Sequence, residues 1–267
     1  MSATGSPAAE ADDKGRVRLV VEGPVARIIF DRPAARNAMT WRMYEELEQA
    51  CLAIAADPSI RVAVLRGAGG KAFVAGTDID QFRAFSSGED GVAYEQQVER
   101  FVGAVERLPV PTIAVVEGWA VGGGMVIANA CDLRLATPGT RFGVPIARTL
   151  GNCLSTISLS MLTATLGQNL VKRMLLLAEM PTAETMPAGY VGVVAPEALE
   201  AEIDALCAKL VSHAPITMRV TKEALRRLRL DPQASAADLV RETYGSADFR
   251  EGVDAFLAKR PPQWRGA

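Results

Sequence analysis

Two glycine-rich loops are the stretches of this sequence best suited to chemistry. The segment KAFVAGTDI (71–79) places Gly76 and Thr77 in a tight turn after apolar residues, and VEGWAVGGGMVIA (116–128) places three glycines between a strand and an apolar helix. Glycine permits positive φ angles and close approach of a ligand, and a helix N-terminus presents unpaired N–H groups at the positive end of its dipole. N–H groups from two such loops could therefore converge on one carbonyl oxygen and form an oxyanion hole.

Other uses of the triplet Gly122–Gly124 can be weighed from the sequence. The stretch GWAVGGGMVIA does not fit the G-x-G-x-x-G pattern of dinucleotide-binding proteins, and no G-K-[ST] follows that would make a phosphate-binding P-loop. A simpler alternative is that the glycines only permit close packing between a helix and a strand, since glycine-rich turns are common. The triplet taken alone favours this alternative, so the interpretation depends on the rest of the chain.

The composition is that of an ordinary globular protein. The 267 residues are 49% hydrophobic and 22% charged, with a net charge of −2. This charge gives no electrostatic reason to expect nucleic acid or an anionic membrane as a partner, and no apolar run is long enough to span a bilayer. The first 15 residues lack the features of a secretory signal and are predicted to form a disordered tail.

The spacing of the four cysteines indicates the redox state of the cellular compartment. Cys51, Cys131, Cys153 and Cys207 are widely spaced and lie mostly in apolar surroundings. This pattern favours buried thiols in a reducing compartment over a disulfide framework or a zinc site. We therefore expect a cytoplasmic protein.

The elements that must hold the two loops alternate between strands and helices. The runs RVRLVVEG and VARIIFDRP predict a hairpin, Thr40 predicts the N-cap of an amphipathic helix, and a second such helix is predicted over residues 92–107. Strands separated by helices of this length indicate mostly parallel pairing. The sequence predicts an α/β core over residues 16–200, built from strand–strand–helix units, and a helical region over residues 201–267.

Five motifs occur in order along the chain: DRPAARNAMT, KAFVAGTDI, VEGWAVGGGMVIANACDLRLAT, RFGVPIARTLGN and DFREGVDAFLAKRPPQW. Their order and spacing resemble those of the crotonase family, the enoyl-CoA hydratases and isomerases. The sequence resembles this family over nearly the whole chain after Arg16. The resemblance implies a spiral of ββα units and a helical C-terminal region that forms trimers or pairs of trimers. It also implies a bound acyl-CoA thioester, in which coenzyme A is part of the substrate and no separate cofactor or metal is needed.

The resemblance also assigns roles to single residues. The backbone N–H groups of Thr77 and Gly123 are expected to form the oxyanion hole, which would polarise the thioester carbonyl and stabilise an enolate. Losing one such donor typically costs about 3–4 kcal/mol of transition-state stabilisation. Asp78 is expected to brace the loop, and Lys259 to approach the nucleotide phosphates. The full set of expected substrate contacts is Arg36, Ala75, Gly76, Asp78, Trp119, Gly122, Val126, Ile146, Asn152 and Lys259.

The sequence departs from the family at the two positions where hydratases carry catalytic glutamates. The first is Val126, two residues after the triplet, and the second is Ile146, or Ala147 if the alignment slips by one residue. Hydration needs one group to activate water and one to deliver a proton, and each missing acid–base group costs roughly 100- to 10,000-fold in rate. We therefore expect ordinary hydration to be impaired.

Two nearby residues are candidates to act instead. Asp80 could reach the acyl end, although a first-turn acid of a helix is the favoured alternative. Arg148 could hold a substrate carboxylate through two hydrogen bonds, although it lies with Thr149 and Asn152 in a stretch that side-chain hydrogen bonds could equally explain.

Three functions stay open at this point. The first is an acyl-CoA enzyme named a hydratase by similarity. The second is a decarboxylase or other enolate-forming lyase, for which Val126 and Ile146 would disfavour a departing carboxylate by desolvation. The third is an acyl-CoA-binding protein without catalysis.

Overall fold

The computed structural model describes residues 14–267 and begins with the predicted hairpin. Strands β1 (Arg16–Glu22) and β2 (Val25–Asp31) pair in antiparallel fashion around a turn at Gly23, where φ is +58°. Except for Lys14 and Gly15, the predicted tail lies outside the described residues.

A six-stranded sheet forms the main layer. It continues from β2 through β3 (Val62–Gly67), β4 (Thr112–Val116), β6 (Leu133–Ala136) and β8 (Gly192–Val193). All pairings beyond the hairpin are parallel. All five residues of β4 are buried, as expected for a parallel strand covered on both faces.

A smaller layer runs alongside the sheet and carries the loops of interest. Strand β5 (Trp119–Val121) pairs in parallel with β7 (Arg141–Gly143), and Val74 forms an isolated parallel bridge to Ala120. Successive units therefore send one segment into the large sheet and the next into the small layer before a helix begins. This arrangement confirms the predicted crotonase-like spiral of ββα units.

Three helices pack on the side of the sheet that holds the main core. They are α1 (Trp41–Ala56), α2 (Gly88–Glu106) and α3 (Gly123–Ala130). Thr40 caps α1 by accepting the Met43 N–H at 3.3 Å, as predicted. Helix α2 begins four residues before the predicted start, because the Asp90 carboxylate accepts the N–H groups of Ser86 and Ser87 at 2.7 and 2.8 Å.

Helices dominate the rest of the chain. After the short α4 (Ile146–Thr149) come α5 (Thr156–Leu176), α6 (Leu199–Val211), α7 (Pro215–Leu230), α8 (Ala237–Gly245) and α9 (Ala247–Leu257). Gly167, with φ +74° and ψ 151°, interrupts α5. Within residues 14–267, none of the helices combines the length and apolar character that crossing a bilayer requires.

A half-buried ion pair joins the helical region to the sheet. Asp132 accepts from the Thr112 N–H at 2.7 Å and its hydroxyl at 2.8 Å, and it also pairs with Lys222 of α7. Asp132 thus has a structural role, because it joins α7 to the start of β4.

Candidate active site

A cavity of about 200 Å³ lies where the two glycine loops meet helices α2, α3 and α4. Its walls come from widely separated parts of the chain. The lining residues are Ala75, Gly76, Thr77, Ile79, Phe82, Tyr94, Glu95, Val98, Val121, Gly122, Gly123, Val126, Pro145, Ile146, Thr149, Leu150, Asn152 and Leu154.

The first loop is held open by backbone hydrogen bonds on both sides of Thr77. The Met39 N–H donates to the Gly76 carbonyl at 2.8 Å, and the Asp78 N–H donates to the Met39 carbonyl at 2.9 Å. Gly76 has φ +107°, which favours glycine. The Asp78 carboxylate pairs with Arg32 at 2.7 Å and so braces the loop from outside the cavity.

Each of the three glycines of the second loop is required for a different structural reason. Gly122 has φ +54°, and a Cβ there would lie 3.7 Å from the Gly76 Cα, so the two loops are in contact. A Cβ at Gly124 would lie 2.0 Å from the Val74 carbonyl oxygen. Close helix–strand packing therefore explains Gly124.

Gly123 lies beside Thr77. A Cβ at Gly123 would lie 3.4 Å from the Thr77 hydroxyl oxygen and 2.7 Å from that of Tyr44. Throughout residues 14–267, the amide N–H groups of Thr77 and Gly123 have no protein acceptor. Two unpaired donors thus border the cavity from adjacent loops, and Gly123 is at the N-terminus of α3, where the helix dipole is positive.

A buried hydroxyl network lies behind Thr77. The Thr77 hydroxyl oxygen is 2.9 Å from the Tyr44 hydroxyl and 2.8 Å from the Tyr94 hydroxyl. Burial raises the pKa of Tyr94 to about 12 and also raises the pKa of Tyr44. Both phenols therefore stay protonated at neutral pH, and the network fixes the Thr77 side chain.

The sequence and the fold are similar to those of known proteins. A profile of the enoyl-CoA hydratase/isomerase family matches residues 21–267. The chain belongs to this family. The short-chain-enoyl-CoA hydratase of Clostridium acetobutylicum is 31% identical over 250 residues, which cover 91% of this chain and 95% of that protein. The (E)-benzylidenesuccinyl-CoA hydratase of Thauera aromatica is 32% identical, with 94% and 99% covered. A solved enoyl-CoA hydratase/carnithine racemase from Magnetospirillum magneticum is 34% identical with a TM-score of 0.86, covering 94% of this chain and 96% of that one.

The side chains that line the cavity opposite the two glycine loops are mostly apolar. Val126, 1% exposed on α3, and the half-buried Ile146 at the start of α4 both line the cavity. Val98 of α2 and Leu154 extend this surface. Neither position expected to hold a glutamate therefore offers a proton acceptor.

Sequence reasoning missed the carboxylate that does line the cavity, Glu95 of α2. It is half-buried, and it accepts the Ser155 N–H at 2.9 Å. Burial raises its pKa, the Ser155 N–H opposes this shift, and the charge of Glu99 adds to it. A helical periodicity signal was available, because Glu95 precedes the buried Val98 and Val102 by three and seven positions and so lies along the apolar stripe of α2.

Several predicted site residues lie outside the cavity. The Asp80 side chain is 74% exposed, pairs with Arg83 at 2.9 Å and lies in the first turn of a short 3-10 helix. Arg148 is exposed on α4, and Trp119 packs against the Arg141 guanidinium. Arg36 and Lys259 are also exposed, although the Arg36 carbonyl accepts the Ala75 N–H at 3.1 Å. Ala75, Gly76, Gly122 and Asn152 do line the cavity.

One cysteine differs from its prediction. Cys51, Cys131 and Cys207 are buried as expected, but Cys153 is exposed. It lies in the irregular segment between α4 and α5.

Proposed function

We propose that this protein binds an acyl-CoA thioester with its acyl end in the cavity, and that the N–H groups of Thr77 and Gly123 stabilise an enolate formed from it. The observation that carries the proposal is the contact between the two glycine loops, which leaves two adjacent N–H groups unpaired at the cavity. Preorganised donors of this kind stabilise charge that develops on a carbonyl oxygen. The acyl-CoA names of the relatives agree with this chemistry.

Ordinary two-carboxylate hydration does not fit the remaining lining. Val126 and Ile146 can neither activate water nor donate a proton. The reaction proposed is therefore a different enolate-forming conversion of an acyl-CoA.

A decarboxylase is the second candidate, because apolar residues favour loss of a charged carboxylate. Glu95 argues against it, since an ionised side chain in the same cavity would repel the substrate carboxylate. Binding without catalysis is the third possibility, and the presence of that acid gives a reason to prefer an enzyme.

Contacts with the nucleotide part of coenzyme A must lie outside the cavity. A volume of about 200 Å³ is smaller than the roughly 300–1,000 Å³ of pockets that enclose a drug-sized ligand. We therefore assign the acyl end to Ala75, Gly76, Gly122 and Asn152. The exposed cations Arg36 and Lys259 are the proposed contacts for phosphate groups.

A homo-oligomer, a trimer or a pair of trimers, is part of the proposal. Helix α9 exposes Phe256 and Leu257 at 84% and 75%, and Tyr244 of α8 is exposed nearby in the chain. A second copy that covered these apolar side chains would remove them from water, and the mass in solution measures this.

The proposal is tested by comparing binding with turnover. Crotonyl-CoA and butyryl-CoA should bind in calorimetry more tightly than free coenzyme A. Crotonyl-CoA hydration should be at least about 100-fold slower than that of a two-glutamate enzyme, because both usual acid–base positions are apolar. Absence of ester binding would contradict the proposed function, and a turnover number of about 10 per second or more would contradict the interpretation of Val126 and Ile146.

A further inference from the structure

Glu95 is the one carboxylate among the described residues that line the cavity. It shares this space with Thr77 and Gly123, the residues to which the proposed function assigns the oxyanion. Its neighbour in sequence, Tyr94, contacts the Thr77 hydroxyl at 2.8 Å. Helix α2 therefore ties the carboxylate to the same loop that carries one of the two N–H donors.

The packing of the protein does not account for this acid by charge pairing. No lysine or arginine of residues 14–267 forms an ion pair with Glu95. Its hydrogen bond with the Ser155 N–H braces α2 against the start of α5, and a neutral amide oxygen could accept that bond equally well. A half-buried acid that lacks a cation and borders a cavity is typical of an acid–base group.

We propose that Glu95 is the acid–base residue of this protein, acting from α2 in place of the absent glutamates. The inference rests on the proposed function and deepens it by naming double-bond migration in an enoyl-CoA as the reaction. The Glu95 carboxylate removes a proton from C2 of a 3-enoyl-CoA, so that a C–H bond breaks and an O–H bond forms. The electron pair delocalises into a dienolate whose oxygen accepts from Thr77 and Gly123. The protonated Glu95 then returns the proton to C4, which gives the conjugated 2-enoyl-CoA.

This sequence of steps matches what the cavity supplies. It conserves protons, needs no water and no second carboxylate, and needs no co-reactant. Hydration would require a second acid–base group. The two positions where hydratases of this family carry a glutamate are Val126 and Ile146 here, and neither side chain can transfer a proton. Burial, which raises the pKa of Glu95, brings the carboxyl closer to the range in which it can both accept and return a proton.

The test separates proton transfer from bracing with Glu95→Gln, whose amide oxygen keeps an acceptor for Ser155. Exchange of the C2 protons of butyryl-CoA in ²H₂O is measured by mass spectrometry, and isomerisation of a 3-enoyl-CoA by the absorbance of the conjugated product. Glu89→Gln is the matched control, because Glu89 is exposed in the first turn of α2 and does not line the cavity. Calorimetry with butyryl-CoA reports whether each variant keeps its binding site.

We expect the wild type to exchange and isomerise, and Glu95→Gln to lose at least about 100-fold in both rates with an unchanged dissociation constant. Glu89→Gln should stay within about twofold. Wild-type rates in Glu95→Gln would overturn the inference, as would an equal loss in Glu89→Gln. A wild type that binds butyryl-CoA but neither exchanges nor isomerises would overturn it and leave the thioester proposal standing. Failure to bind any ester would instead overturn the proposed function.

Discussion

The two walls of the cavity are specified by different parts of the polypeptide. The backbone wall consists of Gly76, Thr77, Gly122 and Gly123, and its groups are main-chain amides. The side-chain wall consists of Glu95, Val98, Val126 and Ile146. The fold itself sets the position of an amide, whereas a single substitution replaces a side-chain function. The comparison therefore separates the proposed stabilisation of an oxyanion, which depends on the backbone, from the particular reaction, which depends on the side chains.

The backbone wall is the more sensitive of the two to shape. Tyr44 is fully buried and stacks on Phe101 with ring centroids 5.4 Å apart, so it has little room to move away from Gly123. Any side chain at Gly123 must displace this ring or the loop itself. This wall thus depends on the absence of a side chain, and the other wall depends on which side chain is present.

The largest combined effect on rate and stability is expected for Gly123→Ala, because the added methyl group would lie 2.7 Å from the Tyr44 hydroxyl oxygen. A displacement of about 1 Å can cost on the order of 100-fold in rate, and overpacking costs about 1–3 kcal/mol of stability. We expect about a 100-fold lower exchange rate and a lower melting temperature. Gly91→Ala is the control, because a Cβ there meets no atom within 4 Å. Equal exchange rates in the two variants would show that the backbone wall tolerates a side chain.

The sequence predicted the backbone wall better than the side-chain wall, for a physical reason. Gly76 and Gly122 have positive φ angles, and glycine in a turn indicates such a local conformation from the sequence alone. Whether a glycine packs against a distant segment depends on the tertiary structure, so only the structure distinguishes the role of Gly124 from that of Gly123. Likewise, the strand and helix order followed from periodicity, whereas the start of α2 depended on the Asp90 carboxylate.

The side-chain wall depends on contacts between distant segments. Glu95 faces the cavity because α2 packs beside α3, and 31 residues separate it from Val126. Asp80 is much closer in sequence to the first glycine loop, yet its side chain turns outward to Arg83. Proximity in sequence therefore does not bring the Asp80 carboxylate into the cavity, and Asp80 is the first-turn acid that the sequence favoured. The position of Glu95 along the apolar stripe of α2 does bring a carboxylate there.

A smaller and more specific effect is expected from pH. Burial raises the pKa of Glu95 in the folded protein, above the roughly 4.3 of an exposed glutamate. Proton exchange should therefore rise with pH through this elevated pKa, and Glu95→Gln should remove that limb. The other titratable groups that interact with Glu95 are Glu99 and Tyr94 of α2 and Tyr44 of α1. The two phenols stay protonated over this range.

The pH dependence of stability should be opposite to that of proton exchange, because the stability contributed by Glu95 falls as pH rises. Between the unfolded and folded pKa values the folded state binds more protons, so the free energy of unfolding falls as pH rises. The stabilising contribution is complete below the unfolded pKa and is lost as pH passes the folded pKa. Glu95→Gln should flatten this fall, which melting temperatures measured from pH 4 to 7 would show. An unchanged pH dependence in both exchange and stability would place the carboxylate in a solvent-like environment.

The smallest effects on exchange rate and binding are expected for Asp80→Ala and Arg148→Ala. These variants test whether charged residues close to the glycine loops in sequence contribute to either wall of the cavity. The Asp80–Arg83 pair has side chains 74% and 83% exposed, and pairs of this kind contribute about 0–1 kcal/mol. Arg148 is exposed on α4 and does not line the cavity. Exchange rates in both variants should stay within about twofold of wild type, and butyryl-CoA should bind equally well.

A loss comparable with that of Glu95→Gln in either variant would mean that the side-chain wall includes that residue when substrate is bound. Because both substitutions remove a charge from the surface near the cavity, they also measure how much of any loss in Glu95→Gln is a general electrostatic effect.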